Sequence, residues 1–301
     1  MFNNVFLVGA QKSGTSFLCS LLEQHPSLFL PSNLEPNYWA LKDTGQKFSG
    51  PGDFQTINRS SIIVERDYVH LFHKARSHQL CFDCSTLYLY DEQAPRQIRM
   101  QFPQAKIIAV LRNPADRAYS AFCHLRRDGR EMEKDFTRAL AKEGSRIDRG
   151  YEFLWHYKNV GYYGDQLSRY YHEFPEANIK VLLFEELVRN PELVLEDIFR
   201  FLNVHPVKKL NIEGKINSSG IPKSKVINQI IRSNSSIKYL VKSVVPRIWL
   251  RKITGSINKR NLIPKVPLES KIRNKLFECY HKDIQLLSKN CGIDFSRWIE
   301  Y

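Results

Sequence analysis

The chain has 301 residues, 43% of them apolar and 12% aromatic, with a formal charge of +14. That length suits one large α/β domain or two small ones, and the aromatic content excludes an extended disordered chain. No apolar run reaches the roughly 18 residues a membrane-spanning helix requires, so the excess positive charge is expected to meet an acidic partner: a phosphorylated or sulfated small molecule, an anionic glycan, an anionic membrane or nucleic acid.

Val5–Val8 reads as a short strand buried on both faces. The opening MFNNVFLVGAQK lacks the basic start and long apolar run of a signal peptide, so a cytoplasmic location is expected. A loop follows, Gly9-Ala10-Gln11-Lys12-Ser13-Gly14-Thr15-Ser16, and then a helix over Thr15–Gln24 with Phe17, Leu18, Leu21 and Leu22 on one side. A helix N-terminus attracts anions by itself, so the added cation of Lys12 points to a strongly charged ligand. The loop resembles a P-loop, but its order is not the Walker one. There the Lys follows the second Gly, whereas Lys12 precedes Gly14 by two residues. An ordinary strand–turn–helix with a surface lysine is the plainer reading.

Leu80–Asp83 is the next strand candidate. Cys81 and Cys84 should point to its opposite faces, which argues against a shared metal or redox pair. The six cysteines are scattered, so reduced thiols are expected rather than a disulfide framework. Lys106–Leu111 is a third strand and ends in Arg112, at the edge where open α/β sheets bind ligands. A planar guanidinium there suits a phosphate; pairing with a nearby carboxylate is the plainer alternative. Asn113 and Pro114 read as N-cap and first residue of a helix over Pro114–Arg126, with Ser120 two turns in.

The stretch Tyr151–Tyr163 is dense in rings, which could stack on sugar faces or pack a core. A helix over Tyr163–Phe174, a strand over Ile179–Phe184 and a helix over Pro191–Leu202 complete the alternation. Strands alternating with helices predict an α/β fold, a P-loop-like doubly wound parallel sheet flanked by helices, with a basic helical C-terminal segment. Composition shifts near residue 211: eleven Lys and Arg and no Asp or Glu lie between 223 and 265. A final helix is predicted over about Pro267–Lys289. The expected organisation is one domain, with a core over 5–210, a covering loop over about 211–225 and a basic helical tail over 226–301. The tail is either a solvated cationic face or a docking surface for an anionic membrane, glycan or lipid-linked sugar. No nucleic-acid-binding motif is present, and no nucleic-acid partner is expected.

Together, the Lys12 loop and the Arg112 strand end resemble the sulfotransferases that use 3′-phosphoadenosine 5′-phosphosulfate. Their 5′ loop reads x-K-x-G-[ST]-[ST] after a strand. Their 3′-phosphate motif reads R-[ND]-P, with Ser eight residues after the Arg. Both patterns occur here in that order, about a hundred residues apart. Leu34-Glu35-Pro36-Asn37-Tyr38-Trp39 resembles the K-E-P-x-[FY]-[FW] segment of heparan-sulfate-type and bacterial carbohydrate members, with Leu34 in place of Lys. Phe82–Tyr88 is similar to their G-E-x-S-[PT]-x-Y strand end, with Asp83 in place of Glu. Asn217–Lys225 resembles the loop folded over the nucleotide, and Ile284–Trp298 the terminal helix and D-[LF]-S-x-W ending.

The resemblance implies transfer of a sulfuryl group from 3′-phosphoadenosine 5′-phosphosulfate to a hydroxyl or amine of a carbohydrate or glycolipid, leaving adenosine 3′,5′-bisphosphate, with no metal. Glu35 would be the general base, and Lys12 would neutralise the leaving group. Gly9, Gln11, Lys12, Ser13, Gly14, Thr15, Ser16, Arg112, Ser120, Ser218, Pro222 and Lys223 would hold the nucleotide. Asn37, Ser85, Tyr88, Tyr157 and Tyr163 are the candidates for acceptor contacts. A membrane surface beneath a glycolipid acceptor would bring the enzyme to the membrane periphery. A P-loop kinase and a non-catalytic nucleotide- or polyanion-binding protein are the alternatives.

Overall fold

A computed structural model describes residues 4–45, 47–207, 210–212, 220–222, 262–264 and 267–298. Five strands form one wholly parallel sheet: β1 (Asn4–Gly9), β2 (Leu28–Phe29), β3 (Leu80–Asp83), β4 (Lys106–Leu111) and β5 (Ile179–Leu183). Their spatial order is β2-β3-β1-β4-β5. The four predicted strands are all present. The fifth, β2, has two residues, too few to show a periodicity of its own.

The apolar strands divide by alternation, because successive side chains point to opposite faces. Phe6, Val8, Cys81, Ile107 and Ala109 face one core, shared with Tyr163, Leu167 and Tyr170 of α3 (Tyr163–Glu173) and with Leu287 of α5 (Ser270–Cys291). Val5, Leu7, Phe82, Cys84, Ile108 and Val110 face the other. There they meet Leu18, Leu21 and Leu22 of α1 (Thr15–Leu22), and Leu195, Ile198 and Phe199 of α4 (Pro191–Phe201). Each fully buried Leu, Ile or Phe contributes about 1.5–3 kcal/mol relative to exposure. Cys81 and Cys84 thus stand on opposite faces, as the strand spacing predicts.

Helix α2 (Pro114–Arg127) leaves the tip of β4. Asn113 caps it, its side-chain oxygen accepting from the N–H groups of Ala115 and Asp116 at 3.0 and 3.2 Å. The final helix, α5, lies against α3. Its Asp283 accepts from the Gly164 and Asp165 N–H groups at 2.8 and 2.9 Å, capping α3 from outside. Only glycine fits at 164, since a Cβ there would stand 2.3 Å from the Asp283 carbonyl oxygen.

Gly220–Pro222 pairs antiparallel with Leu262–Pro264, and the first of these strands lies against α2. Ser218, Lys223 and most of the predicted basic tail fall outside the described residues. Among the described residues, no helix is long and apolar enough to cross a membrane.

The sheet order reverses between β1 and β4, the place where such sheets open a crevice beyond their carboxyl ends. Gly9 pairs with Ala109, and the Ala10 N–H donates to the Val110 carbonyl at 2.7 Å. The two predicted anion motifs therefore leave the sheet side by side.

Candidate active site

Between β1 and α1 the chain turns through Gly9–Ser16. Gly14 caps α1 at φ 85°, the left-handed region that glycine enters without strain. A Cβ there would come within 2.9 Å of the Phe184 ring. Gly14→Ala is therefore expected to cost about 1–3 kcal/mol of stability. A denaturation midpoint that stays put would show that neither restriction acts at Gly14. Lys12 also has a left-handed backbone, φ 69°, unusual for a residue with a side chain and a mark of functional turns.

The two motifs meet here. Arg112 Nη1 donates to the Lys12 carbonyl at 3.4 Å, and its guanidinium lies 4.6 Å from the centre of the Phe184 ring. Phe184 thus forms a wall shared by the loop glycine and the strand-end arginine. Ser120 lies buried on α2 beyond Arg112. Thr15 is buried at the start of α1 and Ser16 is exposed beside it.

Lys12 Nζ stands 3.3 Å from His124 Nδ1. An ammonium only donates, so Nδ1 is the acceptor and the imidazole proton sits on Nε2. Nε2 faces Asp128 Oδ2 at 3.4 Å. Burial, together with the nearby Arg127 charge, brings the Lys12 ammonium down to about 8. His124 was not foreseen. The signal was available, since it follows Ser120 by four residues and so lies one turn along the same helix face.

Glu35 is half-buried on the loop that follows β2. Thr86 Oγ1 donates to its Oε2 at 3.0 Å. Burial raises its carboxyl above the ordinary value, while the Thr86 bond and the Lys12 charge pull it back. A raised carboxyl facing a lowered ammonium is the pattern of a site that moves protons near neutral pH.

What holds Glu35 is a buried network around Asp83. Ser85 Oγ donates to Asp83 Oδ1 at 2.6 Å, and Tyr88 and Tyr68 donate to Oδ2 at 2.8 and 3.0 Å. Burial lifts Asp83 to about 6 against these three bonds. The Asn37 N–H donates to Ser85 Oγ at 2.9 Å, and the Asn37 side chain donates to the Glu35 carbonyl at 3.1 Å. Ser85 and Tyr88 are therefore scaffold beneath Glu35, not exposed acceptor contacts; Asn37 is as deeply buried, but its Oδ1 has no protein partner.

Tyr157 fills a core and does not line a cleft. Its hydroxyl donates to Glu131 at 2.7 Å and its ring packs on Phe122 and Phe136, within a separate core cluster. Tyr163 is fully buried behind the loop, with its ring 6.2 Å from that of Trp298. Packing decided Tyr157, because a ring-rich stretch carries the same pattern whether it lines a cleft or fills a core; the Tyr163 hydroxyl is buried without a protein partner.

The residues present fit a nucleotide carrying phosphates at both ends. Two polar atoms of the loop are buried without a protein partner: Ser13 Oγ, which can donate to a phosphate, and Gln11 Oε1, which only accepts. The Lys12 and Arg112 cations flank them, and the first-turn N–H groups of α1 open toward the same place. Pro222 belongs to the strand lying against α2, the helix that bears Ser120.

This arrangement defines a doubly wound α/β protein built to hold an anionic group at its strand tips. The chain belongs to the sulfotransferase family, whose model matches residues 4–207. It is similar to a sulfotransferase of known structure from Alicyclobacillus acidocaldarius, with 31% identity, a TM-score of 0.75, and 99% of this chain and 98% of that one covered. It is also 29% identical over 208 residues to human bifunctional heparan sulfate N-deacetylase/N-sulfotransferase 2, and 26% identical over 212 residues to the mouse enzyme 3 of that name. Each match covers 66% of this chain and 22% of the relative.

Proposed function

We propose that the chain moves a sulfuryl group from 3′-phosphoadenosine 5′-phosphosulfate to a hydroxyl or amine of a carbohydrate. The juxtaposition of Lys12, Arg112 and Glu35 at one sheet edge carries this reading. The names of the heparan sulfate relatives favour a carbohydrate acceptor. When bound, the donor supplies a sulfuryl group whose bond to the 5′-phosphate breaks as the acceptor's bond to sulfur forms.

The roles of the chain's own residues follow from charge and position. Gly14, Ser13, Thr15 and Ser16 bind the 5′ end through backbone N–H groups and hydroxyls, while Arg112 and Ser120 bind the 3′-phosphate. Lys12 faces the phosphate oxygen on which negative charge grows, so its interaction strengthens toward the transition state. His124, oriented by Asp128, accepts on the same nitrogen from the Lys12 ammonium and from Arg127 Nη2. Glu35 takes the acceptor's proton. Its raised carboxyl is a stronger base than an ordinary carboxylate, while Thr86 and Lys12 favour the charged form that accepts a proton.

The test is sulfate transfer from labelled donor to a panel of glycans, alongside adenosine 3′,5′-bisphosphate binding. Turnover on a glycan supports the reading. Tight bisphosphate binding with no turnover on any acceptor would instead indicate a binding protein. Preference for Mg²⁺-ATP over the bisphosphate would indicate a kinase.

A further inference from the structure

Asn113, the residue after Arg112, has every polar side-chain atom and its N–H engaged, each with a different part of the fold. Its Oδ1 caps α2. Its backbone N–H donates to Glu185 Oε1 at 3.3 Å, and its Nδ2 donates to the Trp298 carbonyl at 2.9 Å. The other oxygen of Glu185 accepts from Trp298 Nε1 at 3.3 Å. A closed ring of three residues therefore joins the tip of β4, the residues just after β5 and the C-terminal turn Ser296–Trp298. One helical turn on, Arg273 of α5 grips Asp116 through Nε and Nη2 at 3.3 and 3.1 Å, a two-point contact. Both anchors, Arg273 and Trp298, lie beyond residue 207, outside the stretch that the family model matches.

We propose that Glu185 and Trp298 are positioning residues for Arg112, so that the C-terminal segment sets recognition of the nucleotide's 3′-phosphate. This rests on the reading of Arg112 as the 3′-phosphate ligand. A guanidinium recognises phosphate through a planar fork, so the direction in which it leaves the backbone governs how many bonds it makes. The 112–113 peptide sets that direction. Glu185 holds this peptide by its N–H and Trp298 holds the side chain next to it. Phe184, the neighbour of Glu185, supplies the face on which the guanidinium rests.

Charge and position predict opposite signs at Glu185, which makes the inference decidable. The carboxylate attracts the Arg112 charge and competes with a phosphate for it. If charge alone mattered, Glu185→Gln would tighten binding of a 3′-phosphate. If position matters, the same change weakens it, because Asn113 and Trp298 donate to different oxygens of Glu185, and in Gln one of these is an NH2 that cannot accept.

The experiment compares the affinities of adenosine 3′,5′-bisphosphate and adenosine 5′-monophosphate in the full chain. Their ratio reports the 3′-phosphate alone, which a general loss of stability would not move selectively. Glu185→Gln and Trp298→Phe are each expected to lower that ratio about 3–10-fold, the size of one or two lost hydrogen bonds. Monophosphate affinity is expected to stay near the wild-type value. Trp298→Phe keeps the ring and changes no charge, so it carries the test alone if the glutamine variant does not fold. A ratio unchanged in Trp298→Phe, or raised in Glu185→Gln, overturns the proposal. Arg112→Ala is measured beside them. If it leaves the ratio intact, Arg112 is not the 3′-phosphate ligand and both readings fall. If it collapses the ratio while the other two do not, only the positioning role is lost.

Discussion

Glu35→Gln is expected to lower kcat by about 10²–10⁴-fold, the usual contribution of a positioned general base, with little change in affinity for adenosine 3′,5′-bisphosphate. Gln keeps the size of the side chain and can still accept from Thr86, so the loop should keep its course. What it loses is the ability to take a proton. In the proposed roles Glu35 handles the acceptor and Arg112 the nucleotide. A split between kcat and nucleotide binding is therefore the diagnostic result. Single-turnover sulfate transfer and equilibrium titration of the bisphosphate measure the two halves. If turnover survives within a few-fold, the proton leaves by another route and Glu35 is only a structural acid.

Lys12→Ala should act on the other side of the reaction. Removing a charge that faces the leaving oxygen is expected to cost about 10²–10³-fold in kcat, and the donor should also bind more weakly. The pH profile separates Lys12 from a passive surface lysine. The proposed mechanism requires Glu35 ionised and Lys12 protonated. Burial raises Glu35, so the acid limb should lie above the ordinary glutamate value of 4.5. Burial lowers Lys12 to about 8, so the rate should fall as pH rises through that value. In Lys12→Arg the charge does not titrate in this range. Whatever rate remains should therefore lose its alkaline limb near 8. A wild-type rate that is level through this region would contradict the assignment. So would an arginine variant that keeps the limb.

Much of the frame was legible in the chain. Strands such as that containing Ile107–Leu111 carry uninterrupted apolar runs, and sheets buried on both faces require that pattern. Asn113-Pro114 marked a helix start because capping is a local matter of one side chain and two N–H groups. The pairing of the Lys12 loop with Arg112 was legible as well, through two motifs in the right order. The acceptor side was not. Ser85 and Tyr88 belong to motif-like segments, yet their hydroxyls turn inward to satisfy Asp83. A buried carboxylate is costly unless hydrogen-bonded, so it draws in whatever donors the fold brings near. Tyr157 shows the same limit, since its hydroxyl serves Glu131 in a core that forms only when distant helices pack.

Local order along the chain thus determined the strands, their helices, the phosphate loop and the family to which they belong. Each of these depends on neighbours within a few residues, and a linear pattern records such neighbours directly. The tertiary structure alone decided that Lys12 meets His124, that Thr86 holds Glu35, and that Trp298 and Glu185 close around Asn113. Those contacts join residues 51 to 185 positions apart. They depend on sheet order and on the path of the final helix, and no spacing of residues encodes a distance measured across the fold.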